Sequence, residues 1–197
     1  MAVDEDLARA YAAYARHDGD GVIESLARID KPEAPPLARW HYSFLRAQTF
    51  LALGRAADAE EELRETATRE VALWGSDMNA RALRGEAKLW LGDYRGAMQD
   101  YARVWQATKD WRLPVSYSWP PGNIPELVGV TSAQMRAMTG IAGVYLLQGD
   151  AARALGWAEA VEQRFNDVHY MGNHWLYGRY IAAEPDSYFG RASNYGC

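Results

Sequence analysis

Apolar residues recur three and four positions apart along most of the chain, and this spacing predicts amphipathic helices. In the segment 80–104 two such stretches are separated by Gly92 and Asp93, a pair of residues that interrupts a helix. We therefore predict a helical hairpin there. Three further hairpins and one single helix are predicted at 4–29, 37–68, 131–165 and 168–183. The pattern indicates an all-α protein.

The predicted hairpins can be aligned on the glycine of each turn. When Gly54, Gly92 and Gly149 are superposed, small residues match in both helices of every pair. These residues are Ala47, Gly85 and Ala142 in the first helices, and Ala59, Ala97 and Ala154 in the second. Small residues let two helix backbones approach closely, and a lone hairpin of this kind leaves one face unburied. The register therefore predicts a stack of repeated hairpins.

The third hairpin, with Gly85, Gly92, Tyr94, Ala97 and Tyr101 at these positions, resembles the tetratricopeptide repeat (TPR) family. The resemblance extends over 37–165. It implies a right-handed superhelix of about four TPR-like hairpins, followed by a capping helix.

In domain terms, the expectation is one α-solenoid over 1–183 and a loose tail over 184–197. Arg81 and Arg84 depart from the family's pattern, which usually has large apolar residues at these positions. We therefore expect the first helix of the third hairpin to pack differently.

The helical period fails at 109–130, where the chain has four prolines and several aromatic residues. The spacing of the turn glycines also increases there, from 38 residues between Gly54 and Gly92 to 57 before Gly149. We interpret 109–130 as an insertion into one repeat. Its candidate contact residues are Trp111, Tyr117 and Trp119.

Composition narrows the classes of partner. The formal net charge of −5 and the absence of a Lys/Arg cluster argue against nucleic acid, and no apolar run is long enough to span a membrane. The N-terminal segment has Asp4, Glu5 and Asp6 where a secretory signal has basic residues, so we expect a cytoplasmic protein. Arg outnumbers Lys eighteen to three, which is typical of GC-rich bacterial genomes.

The sequence has little that indicates catalysis. No phosphate-binding glycine loop, GxSxG or HExxH motif occurs, and the one cysteine, Cys197, is the last residue. His169 and His174 are five residues apart, or about 140° around a helix, so a regular helix would not let them share a metal ion. We therefore predict no catalytic residue, no metal site and no cofactor, and an enzymatic role stays uncertain.

In the TPR family, the first helices of successive hairpins line a concave groove that holds a peptide or a partner helix. The resemblance implies the groove residues His41, Phe44, Gln48, Asn79, Glu86, Trp90, Arg136 and Leu147. This mixture suits aromatic anchoring with a few hydrogen bonds. A clamp for a C-terminal carboxylate is disfavoured. The clamp of the family uses Lys, Arg and Asn at fixed groove positions, and Phe44 and Gln48 occupy two of these positions here.

The leading hypothesis is a non-catalytic adaptor that binds another protein or a peptide through the groove, the insertion, or both. The alternative is a small-molecule-binding protein or accessory biosynthetic enzyme, with an aromatic pocket formed by the groove and the insertion. A third hypothesis is a homodimer formed through the open ends of the stack. The insertion could also fill the groove itself.

Overall fold

The computed structural model describes residues 2–29, 36–66, 76–110 and 124–171. These four ranges contain eight α-helices and no strand, which confirms the all-α prediction for this part of the chain. The helices are α1 Ala2–Ala15, α2 Gly19–Ala27, α3 Pro36–Ala52, α4 Ala56–Thr66, α5 Ser76–Trp90, α6 Tyr94–Thr108, α7 Ile124–Leu147 and α8 Ala151–Met171. None of these helices is both long and apolar enough to cross a membrane.

The helices pack in the order of the chain. Each helix contacts the next one, and each odd-numbered helix also contacts the following odd-numbered helix. The apolar core forms three clusters, centred on α1–α3, on α3–α5 and on α5–α8. Five of the six small residues aligned from the sequence are buried, namely Ala47, Ala59, Gly85, Ala97 and Ala154, whereas Ala142 is half-buried.

The four hairpin turns share one hydrogen-bond pattern. A residue at positive φ ends the first helix, and the N–H of the following residue bonds to the carbonyl oxygen five residues earlier. The residues at positive φ are His17 (59°), Gly54 (73°), Gly92 (78°) and Gly149 (81°). The backward bonds run from Asp18 to Ala13, from Arg55 to Phe50, from Asp93 to Lys88 and from Asp150 to Tyr145. This is the Schellman arrangement, which satisfies the last carbonyl groups of a helix.

The residue after the one at positive φ also caps the next helix in three of the four turns. The carboxylates of Asp18, Asp93 and Asp150 accept the backbone N–H three residues later, at 2.9, 2.9 and 3.1 Å. An aspartate at this position satisfies an N–H group that the helix leaves free. The Gly–Asp pair read from the sequence is therefore both a C-cap and an N-cap.

Two helix boundaries differ from the sequence prediction. Helix α7 begins at Ile124, seven residues before the predicted Thr131 and inside the predicted insertion, because the first turn of a helix tolerates Pro125. Helix α8 continues without a break to Met171, since neither glycine nor proline interrupts 157–171. Residues 111–123 and 172–197 lie outside the described ranges, and with them most of the insertion, most of the predicted capping helix, and the tail.

Candidate functional site

Three of the predicted groove residues lie together although they come from three different helices. Phe44 is on α3, Glu86 on α5 and Arg136 on α7. The guanidinium carbon of Arg136 lies 5.9 Å from the centre of the Phe44 ring, and Arg136 Nη1 lies 3.5 Å from Glu86 Oε2. We call the surface defined by Phe44, Glu86 and Arg136 the odd-helix face.

Aromatic rings extend the odd-helix face along α3. The rings of Phe44 and Trp40 are stacked, with centroids 4.7 Å apart, and Trp40 also meets the His41 ring edge-on at 5.0 Å. Aromatic contacts of this kind contribute stabilising free energy beyond that of the apolar area that they bury. They hold Phe44, which is half-buried, in a fixed orientation beside Arg136.

His41 connects two hairpins. Its Nδ1 atom and the Tyr11 hydroxyl of α1 are 2.6 Å apart and form a hydrogen bond. Burial lowers the pKa of His41 below its ordinary value, which favours the neutral imidazole. His41, a predicted groove residue, therefore joins α3 to α1 through this hydrogen bond.

Tyr101 reaches toward the odd-helix face from α6. A Cβ atom added at Gly85 would lie 2.8 Å from Tyr101 Cε1, and one added at Gly140 would lie 2.1 Å from Cζ. The ring therefore occupies a slot between α5 and α7 that only two glycines leave open. Burial raises the pKa of the Tyr101 hydroxyl, and the nearby Glu86 carboxylate adds to this rise while Arg136 opposes it.

The Tyr101 hydroxyl has no hydrogen bond from any residue in the described ranges. In the same ranges, Arg81 Nε is the one fully enclosed side-chain nitrogen or oxygen without a partner. Tyr101 as a whole is buried, with 2% of its surface exposed.

Large apolar side chains are exposed at the ends of the same helices. Trp90, the last residue of α5, is 74% exposed, and Leu147, the last residue of α7, is 56% exposed. Leu53, Leu91 and Leu146 are exposed beside the same turns. Exposed apolar side chains often mark an interaction site where they cluster on one surface.

The remaining predicted contact residues contribute less surface. Gln48 is half-buried and Asn79 is buried. The insertion residues Trp111, Tyr117 and Trp119 lie outside the described residues. The structure therefore brings Phe44, Glu86 and Arg136 together, leaves Trp90 and Leu147 at the helix ends, and turns His41 toward α1.

The arginines that depart from the TPR pattern form a buried ionic cluster. Asp100 of α6 accepts hydrogen bonds from Arg84 and from Lys88 Nζ, the latter at 2.8 Å, while Arg81 Nη1 lies 3.7 Å away. Burial alone would raise the pKa of Asp100, but the bonds from Arg84 and Lys88 outweigh it and hold that pKa below its ordinary value. This cluster joins α5 to α6. Asp100 balances the charges of Arg81 and Arg84, which stand where the sequence comparison expected large apolar residues.

A concavity lies between α6 and α8. It is an open depression lined by Trp105, Arg153, Gly156, Trp157 and Ala160. The two indole rings meet edge-on, with centroids 5.3 Å apart. Within the described ranges, no three His, Cys, Asp or Glu side chains are placed to hold a metal ion.

Sequence reasoning missed the Tyr101 hydroxyl, because it treated the ring only as a filler of the hairpin core. The available signal was a second glycine, Gly140, in the middle of α7, where a helix otherwise has no use for glycine. Comparison of the chain with protein-family models, with curated proteins and with solved structures gives no match.

Proposed function

We propose that this protein is a TPR-like adaptor that binds an extended or helical segment of another protein on the odd-helix face. The observation that carries the proposal is the convergence of Phe44, Glu86 and Arg136 from three helices. An aromatic ring and an arginine are residues that protein interfaces favour at their centre, and exposed Trp90 lies one helical turn after Glu86 on α5. Phe44 would anchor an apolar side chain, and Glu86 and Arg136 would supply hydrogen bonds.

The repeated turns support the TPR-like part of the proposal. The same Schellman pattern ends α1, α3, α5 and α7, as expected of hairpins that repeat one turn geometry. A right-handed superhelix would place the odd-numbered helices on its concave side. That concave side is the groove in which we propose that the partner segment binds.

Partner binding is favoured over a closed small-molecule pocket. The depression beside Trp105 and Trp157 is open to solvent, whereas small-molecule sites usually enclose most of their ligand. An open face with aromatic anchors suits a polypeptide.

The experiment is selection of binders from a library of random 12-residue peptides displayed on phage, followed by affinity measurements on purified variants. Trp90→Ala should weaken a selected peptide about 30-fold, which is the loss expected at an interface hot spot. Leu155→Ala is the matched control, because Leu155 is also a large exposed apolar residue (60%) but lies on α8. The control should change the affinity less than about twofold.

The same measurements can contradict the proposal. If no selected peptide depends on Trp90, or if Leu155→Ala causes the same loss, the odd-helix face is not the binding surface. Sedimentation of the free protein tests the homodimer hypothesis separately. A dimer that Trp90→Ala dissociates would assign the face to a second copy of the chain.

A further inference from the structure

We propose that the depression between α6 and α8 binds a proline-rich segment of a partner protein in the polyproline II conformation. Its lining consists of Trp105 from α6 and of Arg153, Gly156, Trp157 and Ala160 from α8. The depression shares no residue with the odd-helix face. It would therefore be a second binding surface, for a segment of different chemistry.

The α8 side of the depression is a stripe along one face of the helix. Arg153, Gly156, Trp157 and Ala160 are spaced by three, one and three residues, and a helix places residues at these intervals side by side. A Cβ atom added at Gly156 would meet no other atom within 4 Å. The two small residues, Gly156 and Ala160, therefore leave open space beside the Trp157 ring.

The stripe departs from the pattern of the earlier hairpins. Counted from the turn glycine of each hairpin, its last three residues correspond to Gln99, Asp100 and Arg103 of α6 and to Glu61, Glu62 and Glu65 of α4. Glu62 and Asp100 each pair with an arginine of the preceding helix, whereas Trp157 stands in their place on α8. A face that is polar on two helices is thus aromatic or small on α8.

Two indole rings form the aromatic wall of the depression. The ring centroids of Trp105 and Trp157 lie 5.3 Å apart, and the ring planes meet at 86°. Both side chains are half-buried and pack against the apolar core cluster of α5–α8, so part of each ring stays accessible. Proline-rich segments bind to aromatic-lined grooves, and a polyproline II helix presents the same side every third residue.

The polar groups of the lining are all hydrogen-bond donors. The indole groups of Trp105 and Trp157 and the guanidinium of Arg153 can donate but cannot accept. Neither indole N–H has a hydrogen bond with another described residue. Such a lining suits a ligand that offers acceptors and few donors. Proline has a carbonyl oxygen and no N–H, and a polyproline II helix makes no internal hydrogen bond that would occupy its carbonyls.

An extended segment suits this site better than a small anionic molecule does. The Arg153 side chain is 68% exposed, and its Nε lies 3.2 Å from the carboxylate of Asp150, which balances its charge. The depression is also open, so a small ligand would leave much of its surface in water. A polypeptide continues beyond the depression and can cover an open surface.

The test titrates the full chain with a blocked nine-residue peptide of L-proline and follows the tryptophan fluorescence. The control peptide alternates L- and D-proline, which keeps the composition but prevents a regular polyproline II helix. We expect saturable binding of the L-proline peptide with a Kd below about 1 mM, and no saturation with the control peptide.

Three variants locate the binding site. Gly156→Leu places a side chain in the open space beside Trp157 and should abolish binding, while thermal unfolding shows that the variant folds. Ala158→Leu is the matched control, because Ala158 is exposed on α8 and lies about 200° around the helix from Gly156. It should bind like the unaltered protein. Trp157→Phe keeps an aromatic ring without the indole N–H and should weaken binding about three- to tenfold.

Several results would overturn the proposal. If Gly156→Leu binds the L-proline peptide as well as Ala158→Leu does, the depression is not the site. Equal binding of the two peptides would show apolar contact that does not require the polyproline II conformation. If indoleacetate saturates the protein and the L-proline peptide does not, the site takes a small anion. If Trp90→Ala abolishes binding and Gly156→Leu does not, the peptide binds at the odd-helix face.

Discussion

Arg84 and Asp100 form a two-bond ion pair across the third hairpin, with distances of 2.8 Å from Nε and 2.5 Å from Nη2 to the two carboxylate oxygens. The pair is placed symmetrically about Gly92, eight residues before and eight after it. Arg46 and Glu62 have the same relation to Gly54, and their Nη1 and Oε2 atoms are 3.2 Å apart. The second and third hairpins therefore repeat an internal ion pair as well as a turn.

The two pairs should differ in their contribution to stability. Asp100 is more deeply buried than Glu62, and three cations surround it. Asp100→Asn would leave buried guanidinium groups uncompensated, so we expect a loss of about 3–5 kcal/mol in the free energy of unfolding. Glu62→Gln should cost about 1 kcal/mol, because Arg46 is partly solvated. Urea unfolding of both variants gives the comparison, and equal losses would contradict it.

The sequence predicted the hairpins and their register because both depend on local signals. In one turn Gly92 adopts the required positive φ, and Asp93 caps the helix that follows. Periodic apolar residues form the buried face of each helix. The pairing of Arg84 with Asp100 was not predicted, since the two residues lie on different helices and helical periodicity does not show which charges meet. The meeting of Phe44 with Arg136 follows from the packing of α3, α5 and α7, which no local pattern determines.

A glycine pair tests the slot that holds Tyr101. Alanine normally stabilises the interior of a helix by about 1 kcal/mol relative to glycine. Gly156→Ala on α8 should therefore stabilise the protein by about that amount, because its added Cβ meets no atom within 4 Å. Gly140→Ala should instead destabilise by about 1–3 kcal/mol, because its Cβ would lie 2.1 Å from Tyr101 Cζ. Thermal unfolding of both variants checks the sign. A stabilised Gly140→Ala would show that the slot can widen.

The first turn should gain stability from the glycine that the other three turns have. His17 adopts a φ of 59°, a conformation that costs a residue with a Cβ about 1 kcal/mol or more. His17→Gly should therefore raise the free energy of unfolding by about 0.5–1 kcal/mol. Gly54→Ala is the reciprocal change and should lower it by a similar amount, since Gly54 has a φ of 73° and open space around it. Denaturant titration of both variants measures the effects, and a neutral or destabilising His17→Gly would contradict the prediction.

The burial of His41 should make stability fall in acid. Burial lowers the pKa of His41 in the folded protein from the ordinary value of 6.5, so the unfolded chain binds the proton more readily than the folded one. The free energy of unfolding should thus be unaffected by this group above pH 6.5 and should decrease as the pH falls through 6.5 toward the folded-state pKa. His41→Gln cannot titrate and should lose this part of the pH dependence between pH 7.5 and 5. His17→Asn is the matched control, because His17 is exposed and asparagine tolerates positive φ. Urea unfolding at several pH values gives the slopes. If His41→Gln and the unaltered protein change in parallel while His17→Asn does not, His41 is not the group that titrates.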